Sequence, residues 1–270
     1  MPNSEHLQPV WDLIGTFVQH VFDRVRARWE IWSGGSEEQF VYEVIGGLLA
    51  RQATLASEFA QNPGVWNPHS APLFFRSMVD NLITLAWILK EPEERTKQFV
   101  LYGLGQENLL LEHRKASLQE EGQDPDEDTT VKDWERQLNS ERYTFLTEVN
   151  VGSLGPSSRE MAEETELLEL HRMDYAHWSG TTHNMWQHIV RFNLRQCENP
   201  LHGYHRIPLY PYPIPMPELL LRAAEYFDQS IDIFDKATKL EVGDLSANEV
   251  LEQEFERMPA PPFVPSDGSA

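Results

Sequence analysis

Three residues in the segment YAHWSGTTH, namely Tyr175, Ser179 and His183, follow one another at intervals of four. In a helix each such step turns about 40°, so the three form a slanting row along one side. That row suits general acid or base chemistry, in which an imidazole takes a proton while a neighbouring hydroxyl attacks or orients the substrate. His177 and His188 point away from it, toward water, on the same geometry. The alternative is a buried polar network whose members only satisfy one another and fix the packing.

A site of this kind needs a wall opposite it, and the stretch LFFRSMVDNLITLAWILK (Leu73 to Lys90) is the best candidate. It is apolar on nearly every face, so it reads as a helix surrounded by other helices, the spine of the fold. Arg76 and Asp80 lie four apart on it, in line with Ile83 and Trp87, and form a charged pair where charge is costly. Such a pair is commonly structural, and gains a functional reading if it meets His183 in space.

The remaining chain supplies the helices that enclose the spine. Residues Leu7 to Trp32 and Glu37 to Gln61 are helical by periodicity, the second opened by a Ser36/Gln39 capping box and carrying Gly46 and Gly47, which suggest close packing. Pro92 starts a helix to about Glu121 with an expected core stripe of Phe99, Tyr102, Gln106, Leu109, His113 and Ala116. Gln106 and His113 are its polar members and, with Trp87 and Trp178, are the expected binding residues. A short helix follows from Val131 to Val149. Ser157 and Glu160 form a capping box opening a long helix from Arg159 to Gln196. PLYPYPIPMPE must be extended across a surface. Pro217 to Leu240 then buries Leu220, Ala223, Ala224, Phe227, Ile231 and Phe234.

No alternating β pattern with hairpin turns is apparent. The expected fold is all-α, a single bundle of six to eight helices around residues 73–90. Residues 1–242 form the bundle and 243–270 a flexible acidic tail, in which Ser246/Glu249 caps a small helix and Val250, Leu251 and Phe255 are the only anchors.

The chain has 270 residues, 40 % hydrophobic and 11 % aromatic, enough for a sizeable core. Its formal charge is −21, of which 12 charges come from Glu120–Asp128 and 241–270. That balance repels nucleic acid and anionic membranes, so nucleic acid would be a partner only through a local basic patch. One cysteine, Cys197, excludes an intrachain disulfide, and no secretory signal or span of about 20 apolar residues is evident. The expectation is a soluble, cytoplasmic protein without cofactor. A homodimer, or a protein partner for the tail, is left open.

Signature motifs are few. There is no HExxH, phosphate-binding glycine loop or GxSxG elbow. His202 and His205 in LHGYH have a spacing that binds metal, but no carboxylate or cysteine accompanies them, so no metal site is expected.

Two segments resemble a known family. RSMVDNLITLAWILKEPEERTKQFVLYG and YAHWSGTTH are similar to the bacterial domain-of-unknown-function family 5677, in which an Arg-Ser segment with an acid four residues after the Arg opens a central helix, and a Tyr-x-x-x-Ser-x-x-x-His segment follows. The matching positions are Arg76, Ser77, Asp80, Tyr175, Ser179 and His183, with Asp80 standing where glutamate is usual. The resemblance brings no activity. More distantly the chain resembles the HEPN helical bundles, many of them metal-independent ribonucleases with Arg, four to six residues, then His. Arg172/His177 and Arg195/His202 have that spacing, but chance alone predicts about two such pairs in this composition. The functions implied are a hydrolase or ribonuclease-like effector of defence or toxin type, using Tyr175, Ser179, His183, Arg76 and Asp80, or a non-catalytic small-molecule or protein-binding module.

Overall fold

The computed structural model describes residues 8–32, 39–145 and 155–258, with side chains of 141–145 excepted. The expected Ser36 cap and the last twelve residues fall outside that range. Helices α1 (Gln8–Ile31), α2 (Gln39–Ala60), α3 (Ala71–Lys90) and α10 (Glu218–Thr238) build the main core. α3 is the spine: Phe75, Met78, Val79, Leu82, Ile83, Leu85 and Ile88 are fully buried on it, against α2, α10 and the segments described below. By length and composition α3 is apolar enough to cross a membrane, and it is enclosed by the protein's own helices. The apolar stripe expected on α10 is buried throughout, from Leu220 to Phe234.

Gly46 lets α1 and α2 approach. A Cβ there would stand 2.3 Å from the Trp29 indole, whereas one at Gly47 would meet nothing within 4 Å. Trp29 in turn packs on Tyr42, with ring centroids 3.8 Å apart.

The packed chain extends past the expected boundary at Val242. Arg28, buried on α1, donates to both oxygens of Asp235 (2.7 to 3.0 Å) and both of Asp244 (2.6 and 3.0 Å). Arg24 pairs with Asp228 and Asp244. The Asp228 carboxylate also accepts from the backbone N–H groups of Ala247 and Asn248, capping α11 (Ala247–Arg257) beside its own Ser246/Glu249 capping box. Val250 and Leu251 are buried as that helix lies across α1 and α10. The anchors were visible in the sequence; the acids that hold them against buried arginines were not, because each partner is some 200 residues distant.

Helix α4 (Pro92–Glu120) corrects another expectation. Its buried positions are Thr96, Leu104, Gly105, Leu111 and Leu118, so the stripe is rotated from the expected one and Tyr102, Gln106, Leu109 and His113 are exposed. The face containing three leucines prevails because α4 leaves the bundle and packs on α5 (Thr129–Phe145), where Leu104, Leu111, Leu118, Val131 and Leu138 form a small separate core.

The expected single helix 159–196 is broken into α6 (Ser158–Glu164), α7 (Leu168–Leu170), a π-helical turn His171–Tyr175, α8 (Ala176–Thr182) and α9 (Trp186–Phe192). Left-handed residues at Glu166 (φ 64°) and Asn184 (φ 51°) mark two of the breaks. α9 then leads into a short antiparallel hairpin, β1 (Leu194–Gln196) and β2 (Arg206–Pro208), that the sequence pattern had not indicated.

Candidate functional site

The π-helical turn and α8 lie on α3, and their contact brings four of the five expected catalytic residues together. Arg76 Nε donates to Ser179 Oγ at 2.7 Å, its guanidinium stacks 3.3 Å from the Tyr175 ring centre, and its Nη1 pairs with Asp80. Ser158 Oγ donates to the Tyr175 hydroxyl at 2.7 Å. His171 stacks on the same ring at 4.3 Å. Both distances leave no room for two groups on one face, so Arg76 and His171 occupy opposite faces of Tyr175.

His183 is the member that does not join. Its backbone N–H closes the last turn of α8 on Ser179 O (2.9 Å), its side chain is exposed, and the chain turns left-handed at the next residue. Ser179 therefore faces a guanidinium and not an imidazole base. The histidine against the Arg76–Asp80 pair is His171, which lies four residues before Tyr175 and so continues the same spacing by one step toward the N-terminus. Burial, then the positive charges of Arg76 and Arg159, hold its pKa below the ordinary value. Burial pushes the Asp80 carboxyl up, with Arg76 and His171 opposing.

On the other side of α8 the reversal at Asn184 folds α9 back, and this buries His188, expected in solvent. Its Nδ1 lies 3.1 Å from Thr181 Oγ1, and its ring meets those of His69 (5.4 Å) and Phe192 (4.9 Å). Burial first, and then the charges of His69 and His177, lower its pKa. A cleft of about 340 Å³ opens here between α3, α8 and α9. Its walls are apolar, with Pro72, Phe75, Trp178 and Phe192, and its polar groups are His177, Thr181, Gln187, His188 and Arg191. Arg191 has no carboxylate partner among the described residues.

Of the four expected binding residues only Trp178 lines this cleft. Its Nε1 donates to the buried Tyr226 hydroxyl (2.8 Å), which donates to Asp174 (2.8 Å), fixing the indole that forms the wall. Trp87 is a core residue donating to Glu164 (3.0 Å), and Gln106 and His113 lie on the exposed face of α4.

Residues 42–200, 159 of the 270, match a family of unknown function, DUF5677. The chain belongs to that family. The DUF5677 segment contains α3 and the whole 168–192 region, hence both sides of α8 and nearly all of the cleft wall, whereas α1, α10 and α11 buttress it from outside. No curated protein and no solved structure matches the chain. Nothing found connects this DUF5677 member to the HEPN bundles: Arg172 and His177 are both exposed, and Arg195 is paired with Glu198.

The hairpin beyond α9 corrects one more expectation. Cys197 does accompany His202 and His205, because the strand pairing brings the cysteine against both; the three ligand atoms lie within 4.8 Å of one another. Four residues of sequence lie between Cys197 and His202, a gap that a turn can close and that adjacency alone does not reveal.

Proposed function

We infer that the protein is a binding module for a small organic anion, held in the α3–α8–α9 cleft without a bond being broken. The observation that carries this reading is Arg191, a guanidinium without a carboxylate partner among the described residues, at the edge of a cleft with aromatic walls and two imidazoles. Convergent polar groups on an apolar lining are the common form of small-molecule sites, and a guanidinium favours carboxylate or phosphate. Ser179 supports binding over nucleophilic catalysis, since an activated serine needs a base and this one accepts a hydrogen bond from Arg76.

The test is calorimetric titration of the full chain with a panel of aromatic and aliphatic carboxylates and phosphates. A saturating member should stabilise the fold by about 3 kcal/mol at a hundred times its Kd, and Arg191→Ala should weaken it by roughly tenfold or more. A panel without a binder, or binding indifferent to Arg191→Ala, overturns the reading.

A hydrolase or ribonuclease-like effector is the second reading, favoured by one observation: His188 is biased toward the neutral form that a general base needs. Expression of wild type, His183→Ala and His188→Ala in bacteria, with growth and RNA integrity compared, tests it. Intact RNA and equal growth in all three count against a toxic nuclease.

A further inference from the structure

We propose that Cys197, His202 and His205 form a zinc site that staples the β1–β2 hairpin. The geometry is that of a ligand set: Cys197 Sγ lies 3.7 Å from His202 Nδ1, and His202 Nδ1 lies 3.2 Å from His205 Nδ1. Zinc bonds to sulfur and imidazole nitrogen, arranged tetrahedrally, place two nitrogens roughly 3.3 Å apart and sulfur and nitrogen roughly 3.6 Å apart. These two spacings agree with one ion at the centre, and all three ligand atoms lie within 4.8 Å of one another.

The backbone already holds the ligands in place. Cys197 N–H donates to His205 O (2.9 Å), His205 N–H to His202 O (2.8 Å) and His202 N–H to Asn199 O (3.0 Å), a tight turn that needs no rearrangement to receive the ion. Asn199 also packs its side-chain amide 3.3 Å from His202 Nε2, on the ring edge away from the cluster.

A second observation points the same way. The loop between the strands buries almost nothing, with Leu201 90 % and Tyr204 99 % exposed, and each strand is only three residues long. Isolated two-stranded hairpins are marginal in water. Small elements without a core are commonly closed by a metal, whose binding energy becomes folding energy. A mixed thiolate and imidazole set selects zinc over magnesium or calcium. Three protein ligands leave the fourth position to water.

The site is separate from the α3–α8–α9 cleft, and its test does not depend on a ligand there. Full-length chain stripped with chelator is titrated with Co²⁺ and then with Zn²⁺. One Co²⁺ per chain is expected, with a near-ultraviolet thiolate-to-cobalt band and the visible bands of a tetrahedral ion, all displaced by Zn²⁺. Cys197→Ser should abolish the thiolate band, and His202→Ala and His205→Ala should each weaken Zn²⁺ roughly tenfold or more. His113→Ala, on the exposed face of α4, should change nothing. Zn²⁺ should also slow alkylation of Cys197 in the wild-type chain, a readout that needs no variant to fold. Absence of a thiolate band, Zn²⁺ affinity unchanged in Cys197→Ser, or alkylation unaffected by Zn²⁺ would overturn the site.

Discussion

The Arg76 guanidinium lies 3.3 Å from the centre of the Tyr175 ring, and through it α3 is tied to the π-helical turn. Arg76 is also engaged by Ser179 and Asp80, so it acts as a clasp across two parts of the chain a hundred residues apart. Arg76→Ala should cost about 1–3 kcal/mol, from the lost ring stacking and the stranded partners. Arg76→Lys should recover only part of that, because an ammonium cannot stack flat and donate to both groups. Urea denaturation of the two variants checks this; a lysine variant as stable as wild type would show that only charge matters.

A chain ending at Val242 should be markedly destabilised. Removing Asp244 and α11 leaves Arg24 and Arg28 buried with fewer counter-charges, a loss of about 3–5 kcal/mol before the burial of Leu251 is counted. Asp228→Ala should act in the same direction, since that carboxylate both pairs with Arg24 and caps α11. Thermal melts decide it: a truncated chain within about 2 °C of the full one would sink the idea that these residues are part of the bundle.

Two adjacent glycines should respond with opposite signs. Gly46→Ala pushes a methyl into the Trp29 indole and should cost about 1–3 kcal/mol through overpacking. Gly47→Ala meets open space and should gain about 0.5–1 kcal/mol from helix propensity. Equal effects from the pair would mean that α1 is free to shift away from α2.

Stability should fall as pH drops below about 6.5, the ordinary histidine value. His171 and His188 both have folded values below it, so between the two the unfolded chain binds more protons and acid favours unfolding. The contribution is fully present above the unfolded value and is lost toward the folded ones. Comparing unfolding free energies from pH 7.5 to 5 for wild type and the His171→Asn/His188→Asn double variant isolates these two from the carboxylates. The double variant should show the shallower slope.

What the sequence disclosed was governed by local periodicity. α10 carries an apolar stripe on a 3.6-residue repeat and its buried face follows from it, while the spine α3 is apolar on nearly every face and is buried accordingly. Arg76 with Asp80 and Tyr175 with Ser179 were legible as two pairs, because each is four apart on one helix, but that the pairs meet came only from the structure. His183 and His188 exchanged places, because a left-handed residue at Asn184 and a π-helical turn reset the phase within a segment that reads as continuous. α4 had two competing stripes, and the choice between them depended on a partner helix that periodicity does not name. The buried arginines and Cys197 depended on contacts made by chain reversal, which no local pattern encodes.

The separate core of the α4–α5 arm has a consequence for how the molecule breathes. Leu104, Leu111, Leu118, Val131 and Leu138 pack with one another apart from the main core. The arm can therefore melt while the bundle stays intact, as a cooperative unit of its own. Its amides should exchange with solvent deuterium long before those of α3 and α10, in two well-separated populations.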